Sequence, residues 1–228
     1  MIAEIGPNST EILELPLWID LMSVVVGALS GAVFAVREKF DVIGVLVVAT
    51  VMGLGGGIVR DLLLSLRPIA LTDEAYLPTV GVAAAFGFLF ASSIGRLAPV
   101  FVVVDALSLG LFTVVGVEKS LLLGLPGASA VLIGVAAATG GGILRDLLSG
   151  HPPEVVRRGP WNAAAALAGA IAFVAVKYVS GAGLWPEVAA IVVAVSLRLL
   201  SVYRGWETPL PYDLSPYLRR RAWFSDDE

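Results

Sequence analysis

Seven stretches of about 20 apolar residues, the length that crosses a hydrocarbon layer about 30 Å thick, leave this chain little choice of fold. They are 18–36, 42–64, 77–95, 100–117, 128–148, 161–178 and 184–203. The connections are short, and only 65–76 and 149–160, each with proline, exceed a turn. The expectation is an all-α membrane protein of seven transmembrane helices, with no soluble domain. Composition agrees, since 57% of the 228 residues are hydrophobic, 15% are charged, and mean hydropathy is +0.89.

Two similar stretches carry the chemistry. Gly55-Gly56-Gly57-Ile58-Val59-Arg60-Asp61-Leu62-Leu63 returns, at an offset of 85, as Gly140-Gly141-Gly142-Ile143-Leu144-Arg145-Asp146-Leu147-Leu148. The same offset reaches Pro68/Pro153 and Tyr76/Trp161, while Arg37-Glu38-Lys39 and Val117-Glu118-Lys119 align at an offset of 80. The first six spans therefore read as a duplication. Three helices is an odd number, so the second copy enters the membrane inverted, a plan in which sites form at the repeat interface. This gives repeat 1 at 18–97, an inverted repeat 2 at 98–180, and an unduplicated helix at 181–204.

The positive-inside rule orients the chain. Arg37, Lys39, Arg96, Arg157, Arg158, Arg204 and Arg219 to Arg221 fall on one side, against Arg67, Lys119 and Lys177 on the other. That puts the N-terminus outside, with 1–17 an uncleaved extracytoplasmic tail (Glu4, Glu11 and Glu14 but no Lys or Arg), and 205–228 a cytoplasmic tail. The tail's aromatics and arginines suit lipid headgroups as an ordinary topology signal. The 15 basic and 19 acidic residues, net −4, show no basic patch, so no nucleic-acid partner is expected. No cysteine and one histidine, His151 beside two prolines, give neither a metal site nor a nucleophile–base pair. No enzyme, cofactor or metal is expected.

Three glycines in a row weaken a helix at about 1 kcal/mol each relative to alanine. Irregular backbone at membrane depth is tolerated where it is buried in protein or lines a wet cavity. Gly55, Gly56 and Gly57, and Gly140, Gly141 and Gly142, are thus expected to break their helices and offer carbonyls to a cation, with close packing the competing reading. Packing is the expected role of Gly27 and Gly31. Thr50, Thr139, Ser30, Ser108 and Thr113 could add hydroxyls, and Asp105 is the carboxylate most plainly inside a span, for the ion path or for a structural hydrogen bond.

Arg60 and Asp61, and Arg145 and Asp146, form the expected mouths. Neighbours on a helix point about 100° apart, so each pair is expected to find partners elsewhere. Arg60 lies about 27 Å along its helix, which puts the two motifs at opposite ends and rules out Arg60 with Asp146. The outer motif is expected to meet Lys119, donating to carbonyls freed around the first triplet, and Glu118, balancing Arg60; the inner motif is expected to meet Arg37, Glu38 and Lys39. Snorkelling is the competing reading for Arg60. Asp20 and Lys177 read as interfacial, and Arg198 as pairing inward or snorkelling.

Seven spans, an inverted repeat, and GGGxxRD in the second and fifth helices resemble the trimeric intracellular cation channel (TRIC) family, and its prokaryotic relatives still more, over about 18–203. The resemblance implies a homotrimer in the membrane, each protomer passing K⁺ and other monovalent cations through a pore lined by kinked second and fifth helices. It makes the two triplets pore kinks and Lys119 the counterpart of a gating lysine. Animal members use a Lys-Glu-Val motif in the fourth helix to hold a phosphoinositide; the order here is Val117-Glu118-Lys119. Bound lipid and a prokaryotic inner-membrane location follow. Some bacterial relatives are linked to glycine uptake, so a glycine transporter is the chief alternative. A non-conducting scaffold is the third.

Overall fold

The computed structural model describes residues 17–96, 98–181 and 183–208. The tails expected at 1–17 and 205–228, with the Arg219 to Arg221 run, lie outside them apart from Leu17 and 205–208. Seven α-helices follow one another: α1 Leu17–Arg37, α2 Val42–Leu63, α3 Tyr76–Arg96, α4 Ala98–Leu122, α5 Gly127–Leu148, α6 Ala163–Ser180 and α7 Trp185–Arg204. Among the described residues six satisfy the length and apolarity needed to cross a membrane, and the described part of α3, Tyr76–Phe90, is apolar as well. The chain is a multi-pass membrane protein. The outward faces bear large apolar side chains such as Ile43, Val82 and Leu132, as a lipid-facing surface requires (71%, 72% and 69% exposed).

Local chemistry sets the helix ends. Asp41 caps α2 by accepting the Gly44 amide at 2.7 Å. Pro126 precedes α5, Pro186 occupies the first turn of α7, and Gly205 ends α7 in the left-handed region (φ 64°). The α4 helix runs further than its apolar pattern suggested, to Leu122 and not Val117, so Glu118 and Lys119 lie inside it. Charged residues at a membrane boundary lower hydropathy without lowering helix propensity.

Inside the bundle, α1 packs on α2 and α3, α4 on α5, α6 on α7, and α2 crosses α5 at the centre. The repeat register is 85 throughout, which corrects the alignment of Arg37-Glu38-Lys39 with Val117-Glu118-Lys119 at an offset of 80. Gly31 in α1 rests on Val48, Ala49 and Met52, and Gly116 in α4 rests on Ile133, Gly134 and Ala137, each pair of partners 85 apart. In this register Asp20 answers to Asp105, and Phe34, not Lys39, answers to Lys119. Gly27 meets the Met52 carbonyl and Gly53 Cα, the close packing expected of it.

The triplets do not break their helices. Both α2 and α5 are continuous through them. The glycines let the two helices touch: a Cβ on Gly56 would collide with the Ala137 carbonyl, and one on Gly141 would stand 2.7 Å from the Met52 carbonyl. These contacts are mates under the repeat offset, so the repeat two-fold passes between Gly56 and Gly141. Where lipid supplies no hydrophobic force between helices, close backbone approach through small residues does the work. Helix–helix contact thus offsets the propensity cost that suggested a break.

Candidate functional site

Each GGGxxRD stretch ends in a buried ionic cluster, and the clusters occupy opposite ends of the bundle. At the first end, the start of α1, end of α2, start of α3 and end of α4 meet. Arg60 donates Nε to Asp61 Oδ1 at 2.8 Å, and its terminal nitrogens to the two carboxylate oxygens of Asp20 at 3.1 and 3.4 Å. The Tyr76 hydroxyl donates to Asp20 Oδ2 at 2.7 Å. Asp61 also accepts Lys119 Nζ at 2.8 Å and the Ile69 amide at 2.9 Å. Arg60 and Asp61 have no exposure, Asp20 has 6% and Lys119 has 8%. Two cations face two carboxylates, so the cluster is formally neutral, as burial demands.

At the second end, α4 begins, α5 and α7 end, and a 3-10 turn, Glu154–Val156, leads to α6. The homologous bonds recur: Arg145 Nε to Asp146 Oδ1 at 2.8 Å, and the Glu154 amide to Asp146 Oδ2 at 2.8 Å. The rest differs. Asp105 stands 3.8 Å from Arg145, accepts Ser30 Oγ at 3.2 Å and Arg198 at 3.3 Å, and shares Arg198 with Glu154, at 2.9 Å. Phe34, where the first end has Lys119, lies with its ring 4.6 Å from the Arg145 guanidinium carbon. Asp105, Asp146 and Glu154 against Arg145 and Arg198 leave one carboxylate over.

This second cluster is open. A vestibule of about 390 Å³ reaches Asp105, Arg145, Asp146, Glu154 and Arg198, past Phe34, with His151, Arg157 and Arg158 at its rim. From its floor a cavity of about 20 Å³, room for one water, runs between α4 and α5 to Met52. Ser108, Thr139, Gly142 and Asn162 line it, and the Asn162 side-chain carbonyl is buried there without a partner. The repeat mates of Thr139, Glu154 and Asn162 are Leu54, Ile69 and Leu77. Leu54 and Ile69 pack with Val24 and Ala70 in an apolar cluster, so the equivalent space in the first repeat is filled.

Several expectations are corrected. Adjacent Arg and Asp do pair in both motifs, because the long arginine side chain folds back along its helix to reach its neighbour. Lys119 bonds the Asp61 carboxylate rather than triplet carbonyls, which are engaged within unbroken helices. Glu118 lies among Glu187 and Lys177, and Asp20 and Asp61 balance Arg60. Arg37 stacks on Phe101, and Glu38 and Lys39 stand exposed at the α1–α2 turn while Arg145 and Asp146 bond elsewhere. Thr50 returns its hydroxyl to Leu46 in its own helix. In the triplets, Gly55, Gly56, Gly140 and Gly141 serve the helix crossing, Gly57 lies beside the Arg60 guanidinium, and Gly142 faces the cavity. The opposite-end placement of the motifs and the inward position of Asp105 agree with expectation.

Asp20, Tyr76, Glu154 and Arg198 entered the clusters without being singled out as site residues. The signal for Asp20 was present, since it precedes Asp105 by the repeat offset. Arg198 had its charge inside a span, which allowed inward pairing or snorkelling, and it pairs inward with Asp105 and Glu154.

The model of a family described as glycine transporter matches residues 17–92 and again 102–178, the two copies starting one repeat offset apart. A UPF0126 membrane protein of Deinococcus radiodurans is 39% identical over 155 residues, 67% of this chain and 72% of that protein. The UPF0126 inner membrane protein YadS of Escherichia coli is 30% identical over 197 residues, 85% of this chain and 94% of YadS. Among solved structures, the TRIC trimeric intracellular cation channel orthologue from Rhodobacter sphaeroides is 34% identical with a TM-score of 0.77, covering 83% of this chain and 97% of that one. Another TRIC cation channel is 28% identical with a TM-score of 0.77, covering 87% and 98%. The chain therefore belongs to the family of duplicated three-helix membrane proteins whose model is described as glycine transporter, which includes the UPF0126 proteins and is homologous to the prokaryotic TRIC cation channels.

Proposed function

We propose that this protein is a passive channel for K⁺ and other monovalent cations, with one path in each protomer beside the α2/α5 crossing. The observation that carries the reading is the one-sided aqueous half-path. The vestibule brings Asp105, Asp146 and Glu154 among four arginines to the mouth of the cavity, and Asp105, Thr139, Ser108 and the Asn162 carbonyl offer oxygens that partly replace ion hydration. Lys119 on Asp61 is the closed gate at the other end, and its release from the aspartate opens the path. The glycine crossing is the pivot on which α2 and α5 shift. Likeness to the Rhodobacter sphaeroides TRIC orthologue supports cation conduction and a homotrimer. Orientation follows the arginines: the N-terminus outside, the vestibule and C-terminus cytoplasmic, in a prokaryotic inner membrane, with lipid around the trimer.

A second reading, a glycine transporter, draws on the description of the matching family and on one feature of the cavity. Arginines and carboxylates at its mouth complement both ends of a small zwitterion.

Recording purified protein in a planar bilayer under a K⁺ gradient tests the first reading. Discrete current steps reversing near the K⁺ potential are expected, and Thr139→Val should reduce their size. Silence alongside saturable glycine uptake into proteoliposomes would replace the channel with the transporter.

A further inference from the structure

The two ionic ends are built on one pattern and differ most simply at one repeat position. Lys119, near the end of α4, holds Asp61 at 2.8 Å and ties α4 across the end of α2. Its mate Phe34, near the end of α1, stands over Arg145 beside the corresponding Asp146 and offers no donor. Asp146 keeps the bonds from its neighbouring arginine's Nε and from the corresponding loop amide, and where Asp61 Oδ1 takes Lys119, Asp146 Oδ1 takes Arg145 Nη2 at 2.7 Å. That carboxylate lines the open vestibule, as does Phe34.

We infer that Phe34 keeps the second end open, and that a lysine in its place shuts that end as Lys119 shuts the first. From α1 the Phe34 ring already reaches the Arg145 guanidinium at the end of α5. A lysine reaching from this position to Asp146 would cross the vestibule floor and set its ammonium against that carboxylate, as Lys119 does against Asp61. Phe34 is thus a gate-determining position that acts through Asp146. The inference specifies regulation of the path proposed above and rests on that path, so its test reads water access and not current.

The chain contains no cysteine, so one introduced thiol reports alone. Gly142→Cys suits the purpose, because Gly142 lines the cavity and a Cβ there meets nothing within 4 Å. Its reaction with Ag⁺, a thiol-reactive cation small enough for a cavity that holds one water, is timed in vesicles of both orientations. Phe34→Lys should slow modification from the vestibule side by about tenfold, the scale of one charged hydrogen bond. Phe34→Met, with similar length and no charge, should leave the rate as it was. Adding Asp146→Asn to Phe34→Lys should restore access. An unchanged rate in folded Phe34→Lys protein, or equal slowing by Phe34→Met, overturns the inference. If Phe34→Lys does not yield folded protein, Phe34→Arg with the same Asp146→Asn rescue makes the same demand. Access that follows this pattern in a protein passing no K⁺ current would refute the channel and leave the gate position standing.

Discussion

Adding one methyl group to Gly141 should destabilise the protein, while adding it to the next residue should not. A Cβ on Gly141 would sit 2.7 Å from the Met52 carbonyl oxygen. Carbon–oxygen contacts settle at about 3.3 Å or more, so α2 and α5 must separate by about 0.6 Å. Their ends resist this, because Arg60 ties the end of α2 to Asp20 of α1 and Arg145 ties the end of α5 to Asp105 of α4. Forced overpacking of this kind costs about 1–3 kcal/mol. On Gly142 the same methyl meets nothing within 4 Å. Both substitutions gain the same helix propensity, about 1 kcal/mol, so that term cancels in the comparison. Gly142→Ala should melt slightly above the parent, and Gly141→Ala should lie below Gly142→Ala by about 1–3 kcal/mol. Thermal unfolding of the three proteins in one detergent, followed by tryptophan fluorescence, measures the difference. A Gly141→Ala protein as stable as Gly142→Ala would refute the backbone contact as the reason for the triplets.

The ionic ends should respond unequally to the same change. Asp20→Asn removes the carboxylate facing Arg60 in a closed cluster and should cost about 3 kcal/mol, whereas Asp105→Asn, at a longer and wetter contact, should cost about 1 kcal/mol. Equal losses in chemical denaturation would show that the second end is as closed as the first. Ser65 and its mate Gly150 follow the α2 and α5 ends in the left-handed region, at φ 57° and 72°. Ser65→Gly should therefore raise stability and Gly150→Ser lower it, each by about 1 kcal/mol, and a melting shift of the same sign for both would count against this.

Much of the architecture was legible because the bilayer imposes it. Helix number, approximate bounds and inverted duplication follow from apolar length and an odd count of helices per repeat. The ends were less legible. Hydropathy falls at Glu118, yet the backbone stays helical to Leu122, since charge marks the membrane boundary and not the helix terminus. The repeat register of the first and fourth helices is masked in the sequence because Glu-Lys recurs at another spacing, 80 instead of 85. Gly31 and Gly116 carry the true register, visible only as a contact with the neighbouring helix.

Of the site, the sequence by itself determined the motif that seeds each end, a glycine triplet followed by Arg-Asp, twice, at opposite depths, but not the Asp20, Tyr76, Glu154 and Arg198 that complete the clusters. It could not determine what they touch. A glycine triplet reads equally as a break or as a crossing, because the deciding quantity is the position of a second helix, and α5 is distant from α2 along the chain. An adjacent Arg-Asp pair reads as divergent on an ideal helix, because side-chain length and burial set the bond rather than the Cβ direction. The difference between the ends, Lys119 on Asp61 and Phe34 over Arg145 at the vestibule, exists only after folding. Ion pairing and cavity filling depend on side chains brought together from several helices, and no local pattern encodes that sum.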